Sequence, residues 1–146
     1  MNIPESIQTA LTEYHADWRH PRLEPFKISG IYSLFPDEAP AEHNWPVMWP
    51  GAGYAGVYFV FGAQMQLLYI GSGFNVAGRL SQHFSGSRGP CRILEPGWKT
   101  RPAFIATIAT LRQFEASSLE EFLIEVLDPP ENVHGKTRKV DTMQDV

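Results

Sequence analysis

Apolar positions recur along the chain with two different periods. In residues 5–18, ESIQTALTEYHADW, Ile7, Leu11, Tyr14 and Trp18 fall at helical spacing behind Pro4, which predicts an amphipathic helix. Residues 26–35, FKISGIYSLF, read as a short strand or irregular packing. The proline-rich stretch 36–53 reads as an ordered loop packed through its Trp-Pro pairs, Trp45-Pro46 and Trp49-Pro50. Residues 56–61, GVYFVF, and 67–71, LLYIG, are apolar on both faces, and the polar 62–66 separates them. They predict a hairpin covered on each side. After the turn at Gly71-Ser72-Gly73, Asn75 reads as an N-cap for a two-turn helix over 76–84, with Val76, Leu80 and Phe84 in line. Arg79 and His83 flank that buried edge, one helical turn apart.

Residues 85–102 are rich in glycine and proline and read mostly as loop. AFIATIAT, residues 103–110, predicts a third strand. The clearest helix spans 115–127, where Leu119, Phe122, Leu123, Val126 and Leu127 form the apolar stripe until DPPEN stops it. Glu121 and Glu125 lie opposite that stripe. Glu120 falls at its margin, where a carboxylate either reaches water along the surface or meets an Arg or a metal. The expected fold class is therefore mixed α/β (α+β). It has a three-stranded antiparallel sheet flanked by helices, with residues 1–50 as an N-terminal extension packed on a domain of residues 51–146.

Composition adds limits. The 146 residues are 43% hydrophobic, enough to build a core, and no run approaches the length of a membrane span. A single cysteine, Cys91, leaves no internal disulfide and fits a reducing compartment. MNIPESIQ lacks the basic start and apolar run of a secretory signal, so a cytoplasmic protein is expected. The net charge of −4 argues against a generic nucleic-acid coat. The charge is uneven, however: Arg79, Arg88, Arg92, Lys99 and Arg101 face only Glu95 between residues 79 and 101, a basic patch on an acidic body. His15, His20, His43 and His134 have no metal-ligand spacing and read as surface or packing residues. Trp18, Trp45 and Trp49 read as core. Trp98, between basic residues, is a candidate contact for a nucleic-acid strand.

The residues that stand out are Tyr58, Tyr69, Arg79, His83, Glu120 and Asn132. Each alone has an ordinary structural reading: a buried strand tyrosine, a helix-edge histidine, a salt-bridge partner. As an ordered set they resemble the GIY-YIG nucleases, including the incision-subunit nuclease domain of bacterial excision repair. Gly56-Val57-Tyr58 matches the first strand element and Tyr69-Ile70-Gly71 the second. Arg79 with His83 matches the third, Glu120 the metal-binding glutamate, and Pro129 with Asn132 the close. Gly30-Ile31-Tyr32 spells the first element literally, but it lies too far from Tyr69 to form its hairpin. Many members carry a lysine where this chain has Ser72.

The resemblance implies a metal-dependent endonuclease acting on DNA, or on RNA, with Mg²⁺ or Mn²⁺ at Glu120. One carboxylate suffices for Mg²⁺, which completes its shell with water and substrate oxygens. Arg79 would pair with the scissile phosphate. Tyr69 would orient water or phosphate, and Asn132 would fix local geometry, through the backbone near Glu120. Tyr58 and His83 both remain candidates for the general base, and Tyr58 in that role needs a lowered pKa. Ser72, Arg88, Arg92, Trp98, Lys99 and Arg101 are candidate nucleic-acid contacts. The second reading is a catalytically silent module of the same fold that binds nucleic acid or a protein partner. The acidic balance and the absent lysine favour it, whereas retention of all six residues favours the enzyme.

Overall fold

The computed structural model describes residues 1–44, 48–85 and 91–132. Arg88, Trp45 and His134 lie outside them. The elements run α1 (Glu5–Trp18), β1 (Tyr32–Ser33), β2 (Gly56–Phe61), β3 (Leu67–Gly73), α2 (Val76–His83), β4 (Phe84–Ser85), β5 (Arg92–Ile93), β6 (Phe104–Ala109) and α3 (Gln113–Leu127). Four of these strands form one antiparallel sheet in the order β1-β6-β2-β3, while β4 and β5 form a separate two-stranded ribbon.

β2 is central, and all six of its residues are buried. The strand period sorts them onto two faces. Val57, Phe59 and Phe61 join Ile70, Phe104, Ala106 and Ile108 beneath α1 and α3. Tyr58, Val60 and Ile105 face the other way, onto Val76, Leu80 and Phe84 of the α2 side. This two-sided cover is why the hairpin sequence is apolar throughout. The hairpin closes through residues 62–66, where Gly62 N donates to Gln66 O at 2.9 Å and Met65 adopts φ 60°.

The sheet has one strand more than the sequence suggests. Tyr32 and Ser33 pair with Ile105 and Phe104 at the outer edge of β6, and an isolated bridge joins Ile28 to Ile108. The literal Gly30-Ile31-Tyr32 therefore sits at the opposite edge of the sheet from β3. Tyr32 stacks on His43 there, with ring centroids 4.6 Å apart. Asn75 takes the N-cap position of α2, but its side chain accepts from Gly53 N at 3.2 Å instead of capping the helix. Trp49 packs the preceding loop onto α2 by donating from Nε1 to Ser81 Oγ at 3.1 Å.

α1 docks on α3. Tyr14 donates to Ser118 Oγ at 2.8 Å, and Arg19 pairs with Glu115 at 3.1 Å. Ile7, Leu11 and Tyr14 are buried as the pattern predicts, but Trp18 at the helix end is exposed. The apolar arc of α3 is also displaced from the expected stripe. Ala116, Leu119, Leu123 and Ile124 are buried, Phe122 and Leu127 are partly covered, and Val126 is exposed. The helix is wedged between the sheet and α1, so its covered arc is set by two partners. Among the described residues no helix is long and apolar enough to cross a membrane.

Candidate active site

β2 and β3 run antiparallel with Tyr58 opposite Gly71. A methyl group on Gly71 would overlap the Tyr58 hydroxyl, so the glycine after Tyr69-Ile70 is what lets that ring lie across the neighbouring strand. Gly73 serves a similar end, because a methyl there would overlap the Arg79 stem. The strand period puts Tyr69, Gly71 and Gly73 on the face that α2 covers.

Tyr58, Tyr69 and His83 form a close aromatic group. Ring centroids are 6.0 Å apart for the two tyrosines, and 5.5 and 5.6 Å from His83 to Tyr58 and Tyr69. The Tyr58 hydroxyl lies 2.7 Å from His83 Nε2. Trp98 roofs the group edge-on, 5.6 Å from Tyr69 and 6.0 Å from His83. Burial governs the protonation of all three members. It pushes the Tyr58 phenol up, with Tyr69 adding to the rise and Arg79 opposing it. It also raises Tyr69. It lowers His83, against the opposing pull of Glu95, and so holds the imidazole neutral at pH 7. The lowered Tyr58 pKa that a phenolate base requires is thus the reverse of what this environment produces.

Arg79 is exposed on the same helix, and its NH1 donates to Gln82 Oε1 at 2.7 Å. Glu120 comes from α3, which packs on the opposite face of the sheet from α2. Its carboxyl is partly buried beside Ser72 of β3, which is an edge strand of the sheet among the described residues. Burial raises the Glu120 pKa, while hydrogen bonding from Ser72 and the charge of Arg79 work against the rise. Glu120 and Arg79 also both act electrostatically on Tyr58 and Tyr69. The edge of β3 is therefore where groups from the two faces feel one another.

Asn132 acts on β3 as well. Its Oδ1 accepts from Ile70 N and its Nδ2 donates to Ile70 O, both at 2.8 Å. Glu131 N donates to Leu68 O at 2.9 Å, so residues 131 and 132 cover the outer edge of the strand that carries Tyr69 and Gly71. The backbone that Asn132 holds is that of β3, not that of α3 around Glu120. Asn132→Ala leaves a buried amide and carbonyl without partners, a loss of about 1–3 kcal/mol in stability. Urea unfolding measures it. Asn132→Asp is also expected to be weakened, because its second carboxylate oxygen would face the Ile70 carbonyl.

The remaining basic candidates among the described residues are Arg92, Lys99 and Arg101. Arg101 is bound by Glu38 through NH1 and NH2 at 2.9 and 3.1 Å and lies 3.7 Å over the Phe35 ring. Arg92 and Lys99 are exposed, and the Lys99 amide donates to Glu131 Oε1 at 3.1 Å. No group of three or more His, Cys, Asp or Glu side chains able to hold a metal occurs among the described residues.

A family model for the GIY-YIG catalytic domain matches residues 54–132. The chain belongs to the GIY-YIG family. The matched span contains β2, β3, α2, β6 and α3, and with them all six motif residues. GIY-YIG proteins are nucleases, and the family generally depends on divalent metal and acts on DNA. No curated protein and no solved structure matches the chain.

Glu95 is the residue near the site that sequence reasoning missed. Its Oε2 lies 3.1 Å from His83 Nδ1. It stands in a Gly/Pro-rich loop without periodicity, and the only sequence signal was its being the lone acid in a basic stretch.

Proposed function

We propose that this GIY-YIG chain is a divalent-metal-dependent endonuclease that hydrolyses phosphodiester bonds in DNA. The observation that carries the reading is the 2.7 Å contact between Tyr58 and the buried His83, made within a domain of a nuclease family. A phenol against a neutral imidazole is a proton acceptor pair whose members come from the first strand and first helix of the motif.

Glu120 is the residue that would hold the cation. The donor chemistry fits Mg²⁺ or Mn²⁺: a single hard carboxylate, with the rest of the shell left to water and substrate oxygens. Burial leaves that carboxylate under-compensated, and a cation relieves it. When bound, the ion supplies Lewis-acid polarisation of the phosphate. Arg79 turns its guanidinium from Gln82 to two oxygens of the phosphate, and its charge answers the charge that gathers there during displacement. Tyr58 accepts a proton from the attacking water while passing its own to His83. Tyr69, in the same aromatic group, orients the water. Trp98 covers the aromatic group and limits solvent entry.

Purified protein incubated with supercoiled plasmid and Mg²⁺ or Mn²⁺ tests the reading. Nicking that EDTA stops, and that Glu120→Gln and Arg79→Ala both lose, is the expected result. Equal nicking by all three proteins marks a contaminant and removes the activity. Metal-independent DNA retention without cleavage supports instead the silent binding module.

A further inference from the structure

His83 is 4% exposed, and both of its ring nitrogens face oxygen. Nε2 lies 2.7 Å from the Tyr58 hydroxyl, and Nδ1 lies 3.1 Å from Glu95 Oε2. The second contact lacks the alignment of a hydrogen bond, and Nδ1 has no other hydrogen-bond partner among the described residues. The Glu95 side chain is 53% exposed, and its Oε2 is already within hydrogen-bond distance of Nδ1. Its backbone, by contrast, is anchored. Phe84 pairs with Ile93 and Ser85 with Arg92 in the β4–β5 ribbon, and Leu94 N donates to His83 O at 2.8 Å. The ribbon folds the chain back so that Glu95 arrives at the end of α2.

A neutral imidazole has one N–H, and the two tautomers differ sharply here. With the proton on Nε2, the lone pair of Nδ1 points at a carboxylate, which repels it, and His83 donates to Tyr58. With the proton on Nδ1, Glu95 accepts it, and Nε2 is free to accept from the Tyr58 hydroxyl. Only the second arrangement gives the phenol proton somewhere to go.

We propose that Glu95 is a positioning residue that locks His83 in the Nδ1–H tautomer and so completes a Tyr58–His83–Glu95 proton relay. The relay rests on the nuclease reading above. As the oxygen of water forms its bond to phosphorus, one water proton moves to Tyr58 Oη and the phenol proton moves to His83 Nε2. The bond from phosphorus to the leaving oxygen breaks, and that oxygen takes a proton from solvent. His83, briefly imidazolium and faced by the Glu95 carboxylate, returns its proton to solvent. The logic is that of an acid orienting a histidine that serves a weak nucleophile or base.

Imidazole nitrogen NMR on the full chain, with ¹⁵N-labelled histidine and His83 assigned by a His83→Gln control, reads the tautomer directly. The expected result is an unprotonated Nε2 in the parent and a shift toward the Nε2–H form in Glu95→Ala. Glu95→Gln, whose amide oxygen still accepts from Nδ1–H, keeps the parental tautomer. Plasmid nicking falls roughly ten- to a hundredfold in Glu95→Ala, in kcat and not in KM, and less in Glu95→Gln. A parent already in the Nε2–H form overturns the proposal, as does Glu95→Ala with parental tautomer and rate. A chain that shows the tautomer shift but cuts no DNA upholds the lock on His83 and fails the nuclease reading instead.

Discussion

Glu120→Gln is expected to slow metal-dependent plasmid nicking by about a thousandfold or more, and the variant protein loses its Mn²⁺ affinity in titration calorimetry. The size follows from losing several kcal/mol of Lewis-acid stabilisation, each 1.4 kcal/mol being about tenfold in rate. Glutamine keeps the shape and its contact with Ser72, so the substitution removes the charge and little else. The fold itself is expected to gain. Burial raises the Glu120 pKa above its ordinary 4.5, so the native state binds the proton more tightly than the unfolded chain does. Stability is then undiminished below 4.5 and falls as pH rises through the raised value. At neutral pH the parent carries this cost and Glu120→Gln does not. Urea unfolding at pH 7 should therefore show the inactive variant at least as stable as the parent. Parental nicking by Glu120→Gln, or unchanged Mn²⁺ binding, removes Glu120 from the metal site.

Much of this arrangement was legible in the sequence because it rests on period and spacing. β2 and β3 declare themselves by being apolar on both faces, and the tyrosines at similar places in each strand end up in one aromatic group. Gly71 and Gly73 look like plain turn residues in sequence, yet each clears space for a site side chain. What stayed hidden depends on partners distant along the chain. β1 is two residues long and exists because β6 offers an edge. The covered arc of α3 includes Ile124 and leaves out Val126 because α1 packs beside it. Arg101 reads as a nucleic-acid contact, and nothing in the sequence announces its pairing with Glu38, 63 positions away. Glu95 is the clearest instance. Its place beside His83 arises from a two-stranded ribbon of two residues each, too short to leave any periodic trace.

Arg79→Ala is expected to lower kcat by about a hundred- to a thousandfold, the range for removing one preorganised donor from a developing anion. Arg79→Lys should recover only part of that loss. An ammonium supplies a point charge, whereas a guanidinium binds two phosphate oxygens at once. The stem that positions it crosses Gly73, and the head is held ready by Gln82 at 2.7 Å. Arg79 is exposed, so neither substitution should unfold the protein. A second readout separates an electrostatic role from a structural one. Burial is the main cause of the lowered His83 pKa, Glu95 opposes it, and the Arg79 charge adds to the lowering. Removing that charge lets His83 bind a proton at higher pH. Because the relay needs a neutral imidazole, the acid limb of the residual kcat/KM profile should move to higher pH in Arg79→Ala and stay in place in Arg79→Lys. A lysine variant as fast as the parent would mean that charge alone suffices and that the phosphate is not gripped by two donors. An acid limb that ignores Arg79 would place the guanidinium outside the electrostatic reach of His83.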